Sequence, residues 1–359
     1  MPVFSAQVPL SDYTTLRLGG PAARFAEAAA EDEIIAVARA ADLAGERLLV
    51  LGGGSNLVVA DEGFPGTVLR ISGGGTSVTN GDDGVRVVAA AGVSWDQIVQ
   101  WSVAEQLPGL ECLAGIPGLA GATPIQNVGA YGQEVSTVIE SVRVYDRASA
   151  AVATLTGAEC GFGYRTSLFK RARAGATGRY IVLSVTFLLE RGPLSEPIRY
   201  PELARSLGVA LGERAPLRQV SEAVIGLRRG KGMVLDPADP DTRSAGSFFT
   251  NPVLDALQFA RLEQAAVGRG IAGGVPHFPA GPGLVKVPAA WLIERAGFGK
   301  GYPAGGAARI SSKHTLALTN SGGAGTSELI ALARQITLGV RSAFGVQLAN
   351  EPVLVGVRL

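Results

Sequence analysis

The apolar residues of this chain follow two different spacings, and their alternation predicts a mixed α+β protein. In residues 31–44 the apolar positions fall on one face of a helix: Ile34, Val37, Ala38 and Ala41. The next segment, residues 47–52 (RLLVLG), is a continuous apolar run that ends in glycine and predicts a short buried strand. Residues 57–60 and 67–72 predict two further strands, with glycine and proline between them as turn residues.

Later segments repeat this alternation and suggest three zones. Strands are predicted at residues 85–91, 141–145, 180–189 and near Val353, and helices from Trp95, from Leu217, and at residues 257–266, 289–296 and 327–344. We therefore predict a first lobe over residues 1–72, a second lobe over 73–215 and a C-terminal domain over 216–359.

Composition excludes several functional classes. The 32 lysines and arginines balance 31 acidic residues, so bulk charge predicts neither nucleic-acid binding nor attraction to a membrane surface. Two cysteines and two histidines argue against a disulfide framework or a zinc site. The N-terminal residues contain neither a basic nor an apolar signal region, so we expect a cytoplasmic protein. We also expect no obligate protein partner.

A stretch without charges, residues 112–133, is long enough to resemble a membrane span. It contains five glycines, two prolines and the polar residues Thr123, Gln126 and Asn127. A helix exposed to lipid would leave backbone groups unpaired there, whereas a loop system folded around a ligand would not. We expect such a loop system and no membrane insertion.

Two glycine-rich motifs are candidate ligand loops. The first, residues 51–57 (LGGGSNL), follows a predicted strand, and its glycines let backbone N–H groups converge on a phosphate. A tight turn between two strands would explain it equally well. The second, residues 115–135, combines glycines with Gln126, Asn127 and Tyr131, which suit a large heterocycle. An irregular packing loop is the alternative, but structureless connections of this length are uncommon unless functional.

Three further motifs carry candidate chemistry, each beside a simpler explanation. Arg165 in GFGYRTSLFK could grip a carboxylate in bidentate fashion, or form a surface ion pair. Ser247 in AGSFFTNP could be a positioned proton donor, or merely a capping serine. Glu351 in LANEPVLVG enters a predicted buried strand, or lies at its exposed end. No GxSxG motif surrounds Ser247, which argues against a hydrolase.

Taken together and in this order, the motifs resemble those of the UDP-N-acetylenolpyruvoylglucosamine reductase family, in its longer type with a tyrosine on a substrate loop. TTLRLGGPA, LGGGSNL, PIQNVGAYG, GYRTSLFK, GSFFTNP and GGAARI carry the resemblance over nearly the whole chain. It implies a two-lobed FAD-binding domain of the vanillyl-alcohol-oxidase (PCMH) type, followed by a C-terminal α+β substrate domain.

The resemblance also implies roles for individual residues. Arg165, Ser247 and Glu351 look catalytic, with Ser247 as the proton donor. Noncovalent FAD would be held by Gly52, Gly53, Gly54, Ser55, Asn56, Leu57, Ile116, Pro117, Gly118, Gly121, Ala122, Gln126, Asn127, Gly129, Ala130, Tyr131 and Gly132. The substrate would contact Tyr131, Tyr164, Arg165, Tyr200, Lys231, Ser247, Asn251 and Glu351.

The implied reaction is NADPH-dependent reduction of UDP-N-acetylglucosamine enolpyruvate to UDP-N-acetylmuramate, a step in peptidoglycan precursor synthesis. Two other interpretations stay open: another FAD-dependent oxidase or dehydrogenase of the same fold, and a nucleotide-sugar binding protein without catalysis. An oxidase would have no reason to carry GSFFTNP together with Glu351. A binding protein would require the loops GGGSN and QNVGAYG to be structural.

Overall fold

The computed structural model describes residues 3–174 and 177–359, and the chain forms two units. The first unit comprises Met1–Pro9, Pro21–Gly54 and Gly63–Val234. The second comprises Leu10–Gly20, Ser55–Glu62 and Leu235–Leu359. Two short segments from the N-terminal part of the sequence thus belong with the C-terminal unit. The predicted division into two lobes and a C-terminal domain stays a prediction.

The strands have the following bounds in chain order: β1 (Ser5–Pro9), β2 (Pro21–Ala28), β3 (Leu48–Leu51), β4 (Leu57–Val59), β5 (Phe64–Ile71), β6 (Thr76–Gly81), β7 (Gly84–Ala90), β8 (Gly129–Ala130), β9 (Gln133–Glu134), β10 (Ile139–Asp146), β11 (Ala151–Thr156), β12 (Arg173–Ala174), β13 (Thr177–Gly178), β14 (Tyr180–Leu189), β15 (Ser244–Ser247), β16 (Val253–Asp255), β17 (Phe278–Pro279), β18 (Leu284–Lys286), β19 (Ala308–Ile310), β20 (Ala317–Asn320) and β21 (Val353–Val355).

The α-helices are α1 (Glu31–Leu43), α2 (Trp95–Ala104), α3 (Leu168–Arg171), α4 (Pro201–Leu207), α5 (Leu217–Gly230), α6 (Ala256–Gly268), α7 (Ala289–Arg295) and α8 (Thr326–Phe344). Short 3-10 turns lie at Leu10–Tyr13, Glu111–Leu113, Ala120–Ala122, Val135–Thr137 and Pro240–Thr242. The helices and strands predicted from apolar spacing are confirmed to within a few residues at each end.

The first unit contains two main sheets. One has the order β1-β2-β5-β3, in which β2, β5 and β3 are parallel, and α1 packs against it. The other has the order β11-β10-β14-β7-β6 and is antiparallel throughout. In β7 buried and half-buried residues alternate, as expected for a strand with one face toward a core. These sheets and helices share one hydrophobic core.

Helix α5 belongs to the first unit, although the sequence pattern placed it at the start of the third zone. Its apolar stripe, Leu217, Val220 and Val224, is buried, and Val220 and Val224 lie in the core of the first unit. Arg228 continues this buried stripe one turn further along the helix. The stripe therefore also buries a cation, a consequence that matters for the site.

The second unit is assembled from distant parts of the chain. Strand β4 pairs in parallel with β21, and small sheets form in the orders β15-β20-β19 and β16-β18-β17. The Asp61 side chain caps the N-terminus of α8. Its carboxylate accepts hydrogen bonds from the backbone N–H groups of Thr326 (2.7 Å) and Ser327 (2.9 Å). Helices α6, α7 and α8 all contribute buried residues to the core of this unit, and α8 contributes more than α6 and α7 together.

Candidate functional site

The two glycine motifs meet in the first unit through their main chains. A Cβ atom built on Gly53 would lie 2.9 Å from the Cα atom of Gly118, so a side chain at position 53 would force the loops apart. Gly54 and Gly118 also have positive φ angles of +62° and +126°. Glycine at these positions thus allows the two loops to pack closely against each other.

The predicted cofactor residues divide between the two units. Those in the first unit are Gly52, Gly53, Gly54, Ile116, Pro117, Gly118, Gly121, Ala122, Gln126, Asn127, Gly129, Ala130, Tyr131 and Gly132. Ser55, Asn56 and Leu57 belong to the second unit, where the carbonyl of Asn56 accepts a hydrogen bond of 2.9 Å from Val353 N–H.

The second glycine motif ends in a hairpin that presents Tyr131. Strands β8 and β9 are joined by Tyr131 and Gly132, whose φ angles are +49° and +84°. Positive φ at both central residues is the geometry of a type I′ hairpin turn, which normally holds glycine, asparagine or aspartate. A tyrosine in this position is strained, and such strain is concentrated at functional sites.

Three predicted substrate residues cluster around this turn. The rings of Tyr131 and Tyr200 pack edge to face with centroids 5.3 Å apart, and Lys231 Nζ lies 5.4 Å from the centre of the Tyr131 ring. Glu202 completes the cluster, with Oε2 2.5 Å from Lys231 Nζ. Glu202 cannot be singled out from the sequence, because an acidic residue in the first turn of a helix needs no other explanation than the helix dipole.

The charge states of this cluster follow from its burial. Burial raises the pKa of Tyr131, so its hydroxyl keeps its proton at neutral pH. Burial alone would lower the pKa of Lys231, but the Glu202 carboxylate and the other surrounding groups together outweigh it, and the pKa lies above its ordinary value. The cluster therefore contains the protonated phenol of Tyr131 and the charged ammonium group of Lys231.

Arg165 is held from both ends. Its backbone is in the left-handed region, with φ +51°, and its carbonyl oxygen accepts a hydrogen bond of 2.9 Å from Lys170 Nζ. Its guanidinium donates to the carbonyl oxygens of Gly129 (2.6 Å) and Asn127 (3.3 Å). The Tyr164 ring centre lies 5.6 Å from its Cζ atom. A guanidinium fixed in this way is preorganised for a carboxylate ligand.

The side chain of Asn127 is engaged within the protein. It is buried, with φ +48°, and its amide nitrogen donates to Glu134 Oε2 (2.7 Å) and to the carbonyl of Gly163 (3.2 Å). Its amide oxygen accepts from Ser136 N–H at 3.1 Å. We predicted Asn127 as a cofactor contact, and these bonds show that its side chain links two loops of the first unit.

The donors near these loops fit a large polar cofactor such as FAD. In residues 3–174 and 177–359, the buried Nε2 atom of Gln133 and the buried Nε atom of Arg228 have no hydrogen-bond partner. Arg228 Nε lies 3.6 Å from the position of a Cβ on Gly115, at the start of the second glycine motif. Buried donors of this kind are normally satisfied, and a bound group with several acceptors would satisfy them.

Arg228 is also an uncommon buried cation. Burial lowers its pKa to about 10, so it stays charged at neutral pH. Its Nη2 atom donates to the carbonyl of Met233 at 2.8 Å. In the sequence the dipole of α5 is enough to explain this arginine, and only the structure shows that it is buried beside a predicted ligand loop.

In the second unit the segments of Ser247 and Glu351 lie side by side. Ser247 is the last residue of β15, opposite Ala317, and Glu351 N–H donates a hydrogen bond of 2.8 Å to the carbonyl of Phe248. Within the described ranges the Ser247 hydroxyl forms no hydrogen bond, which leaves it available to a ligand. Ser247 thus lies at the end of a strand, and it is preceded by Gly246, whose φ angle is +71°.

Asn251 has a structural contact of its own. Its side-chain oxygen accepts a hydrogen bond of 2.9 Å from Ala289 N–H, at the first residue of α7. Its amide nitrogen is thus the atom through which it could bind a ligand, and its orientation is fixed by the helix.

Other classes of site find no support in the described part of the chain. No group of three His, Cys, Asp or Glu side chains there could hold a metal ion. No helix among these residues is long and apolar enough to cross a membrane. A cavity of about 510 Å³ lies in the second unit between α6 and the β17–β18 hairpin, lined in part by Phe259, Glu263 and His277. It contains none of the predicted site residues.

Comparison with known proteins adds independent findings. A family model described as UDP-N-acetylenolpyruvoylglucosamine reductase, C-terminal domain, matches residues 237–355, and one described as FAD binding domain matches residues 22–156. A UDP-N-acetylenolpyruvoylglucosamine reductase from Thermobifida fusca is 59% identical over 358 residues, which is 99% of each chain. One of the same name from Streptomyces coelicolor is 55% identical over 353 residues, 98% of this chain and 90% of its own.

A solved structure agrees with these sequence matches. The crystal structure of UDP-N-acetylenolpyruvylglucosamine reductase from Thermus caldophilus superposes with a TM-score of 0.66 at 26% identity. The alignment covers 99% of this chain and 100% of that one.

Proposed function

This chain belongs to the UDP-N-acetylenolpyruvoylglucosamine reductase family, and from that premise we propose how its own residues carry out the family's reaction. It is an FAD-dependent oxidoreductase that uses NADPH to reduce the enolpyruvyl group of UDP-N-acetylglucosamine enolpyruvate, giving UDP-N-acetylmuramate for peptidoglycan synthesis. The observation that carries this function is 59% identity to a reductase of that name over 99% of both chains. A match to the family's C-terminal domain argues against an unrelated oxidase or a protein without catalysis.

FAD bound to this chain would supply hydride transfer from NADPH to the β-carbon of the enolpyruvyl group. We propose that the main chains of the two glycine loops, which touch at Gly53 and Gly118, hold it. Attachment is noncovalent in this proposal. The sequence has no histidine before His277, and burial raises the pKa values of Cys112 and Cys160, which keeps both thiols protonated.

Arg165 stabilises the charge that develops on the substrate. Hydride addition at the β-carbon moves negative charge to the α-carbon and its carboxylate. The guanidinium, already oriented by the carbonyls of Asn127 and Gly129, receives that carboxylate without reorganising. A preorganised donor of this kind is worth about 3 kcal/mol of transition-state stabilisation.

Ser247 completes the addition by giving its hydroxyl proton to the α-carbon, and it regains a proton from solvent. A serine is a weak acid, but a carbanion-like carbon is a strong base, so the transfer is downhill. Glu351 is on the adjacent segment, bonded through its main chain to Phe248 next to Ser247. We propose that its carboxylate orients the proton-donating network.

The remaining predicted residues hold the sugar nucleotide. Lys231 and Asn251 bind the diphosphate, and the aromatic rings of Tyr131, Tyr164 and Tyr200 cover the substrate. Lys231 is charged and Asn251 presents a fixed amide nitrogen, which suits both for an anion. This assignment requires Lys231 to exchange part of its contact with Glu202 for the substrate.

We include a cytoplasmic location in the proposal. In the part of the chain that the structure describes, Cys112 and Cys160 are buried free thiols. Thiols of this kind are usual in a reducing compartment.

The experiment that tests the function is anaerobic visible spectroscopy of the purified protein. We expect a yellow protein whose flavin absorbance is bleached by NADPH and returns when UDP-N-acetylglucosamine enolpyruvate is added. Acid precipitation should release all of the flavin. A colourless protein, or a reduced flavin that the enolpyruvyl compound leaves unchanged, contradicts the proposal.

A further inference from the structure

A partly buried polar network connects the hairpin β8–β9 to the loop that carries Arg165. Its centre is Asn127, whose amide nitrogen bridges Glu134 on β9 and the carbonyl of Gly163, two residues before Arg165. The Asn127 side chain forms three hydrogen bonds, and all three are to protein atoms. The network therefore ties the two loops to each other.

The same hairpin provides the carbonyl oxygens that hold the Arg165 guanidinium. These belong to Asn127 and to Gly129, which is paired with Glu134 in the hairpin. There is no spare room between them. A Cβ atom on Gly129 would lie 2.9 Å from Glu134 Cγ and 3.0 Å from Arg165 Nη1. Any displacement of Glu134 is thus transmitted to the position of the guanidinium.

We propose that Asn127 and Glu134 are positioning residues for Arg165 in the reduction of the enolpyruvyl substrate. The inference rests on the proposed function, because it assumes that Arg165 binds the substrate carboxylate. Glu134 orients the Asn127 amide, and Asn127 holds both the Gly163 carbonyl and its own backbone carbonyl in place. Arg165 then meets the substrate with one orientation, and a misplacement of about 1 Å costs up to about a hundredfold in rate.

A positioning role predicts a selective effect on one half-reaction. Reduction of FAD by NADPH does not require Arg165, whereas oxidation of the reduced enzyme by the enolpyruvyl substrate does. Loss of the Glu134 acceptor should slow the second step and leave the first unchanged. A purely structural role in the loop would instead lower FAD content and both rates together.

The test is a double-mutant cycle measured by anaerobic stopped-flow absorbance. We expect Glu134→Ala to slow oxidation by UDP-N-acetylglucosamine enolpyruvate between about tenfold and a hundredfold, and NADPH-driven reduction by less than about twofold. Glu134→Gln keeps an acceptor for the Asn127 amide and should recover most of the rate. In the Arg165→Met background, Glu134→Ala should add less than about twofold, since the group it positions is absent.

Matched variants keep the result interpretable. Glu140→Ala removes a half-buried glutamate from β10 in the same unit, where it pairs with Arg86, and should leave both half-reactions unchanged. If Glu134→Ala lowers FAD content, the Asn127→Asp variant is used in its place for the same measurements. Aspartate tolerates the left-handed backbone and lacks the amide donors.

Two outcomes overturn different statements. Multiplicative effects of Glu134→Ala and Arg165→Met, or a Glu134→Gln variant as slow as Glu134→Ala, reject the positioning role. An Arg165→Met enzyme that the enolpyruvyl substrate oxidises at the normal rate rejects instead the proposed role of Arg165.

Discussion

Lys231 and Glu202 form an ion pair in the first unit, with Nζ 2.5 Å from Oε2. Both side chains are partly accessible, at 27% and 34% of their full exposure. The pair occupies the ammonium group that we assign to the substrate's diphosphate. Glu202 and the substrate therefore compete for the same cation.

We expect Glu202→Gln to lower the KM for the enolpyruvyl substrate about two- to fivefold and to leave kcat unchanged. This range follows from the worth of a partly exposed ion pair, about 0–1 kcal/mol. The difference should shrink at high salt, where exposed charges are screened. Steady-state kinetics at two ionic strengths measure it, with Glu222→Gln on α5 as the control. An increased KM would show that Glu202 helps to bind the substrate.

Ser247→Ala should separate the two half-reactions. NADPH-dependent reduction of the flavin is expected to stay normal, while oxidation of the reduced enzyme by the enolpyruvyl substrate slows more than about a thousandfold. The reason is that only the second step needs a proton at the α-carbon. Stopped-flow absorbance measures both steps, and Thr250→Ala, which loses a neighbouring hydroxyl, is the control. Equal damage to both steps would reject Ser247 as the proton donor.

The buried Arg228 should tune the potential of the bound flavin. Reduction adds negative charge to the flavin, and a nearby buried cation favours that form. We expect Arg228→Met to lower the midpoint potential of the flavin by about 30–60 mV. This range corresponds to a tenfold to hundredfold smaller equilibrium constant for reduction, at about 30 mV per decade for two electrons. Arg228→Lys should keep the potential close to that of the parent protein, and so should Arg229→Met at the exposed neighbouring residue. An unchanged potential with weaker FAD binding would place the cation at the diphosphate instead.

Asp146 makes the stability of the first unit depend on pH in a predictable direction. Its carboxylate accepts two hydrogen bonds from Arg179, which lower its pKa to about 2. Because the charged form is the stabilised one, the contribution is complete above pH 4 or so and is lost as the pH falls from about 4 to about 2.

Asp146→Asn should therefore lower the free energy of unfolding at pH 7 by about 1 kcal/mol, less than the full shift implies because Arg179 is half exposed. Urea denaturation at pH 7 and pH 3 checks this. The difference between variant and parent should narrow at the lower pH, and a difference that grows would contradict the sign.

Apolar spacing was sufficient to predict helices such as α8 and buried strands such as β14, because apolar residues recur in them with the period of a helix or a strand. It was not sufficient for β2, which reads PAARFAEA and has no β-branched residue. That strand forms because it lies between β1 and β5 in its sheet. Pairing across the sheet overrides the local conformational preference, and this pairing cannot be predicted from the residues of one segment alone.

Candidate site residues could be predicted from the sequence only where a motif marked the residue type. Tyr131 and Arg165 were found from their motifs, although their left-handed backbones could not be predicted because neither residue favours that conformation. Glu134 and Arg228 gave no distinct signal. Their importance depends on burial and on partners far away in sequence.

The pairing of β4 with β21 has a consequence for biosynthesis. A strand made near the beginning of translation waits for a partner made near its end, an interval of roughly 15 s to one minute at about 5–20 residues per second. During that interval the apolar residues of β4 lack their eventual neighbour on the growing chain. The second unit can therefore close only late in synthesis, and a ribosome-bound nascent chain that stops before Val353 should expose this strand to chaperones and proteases.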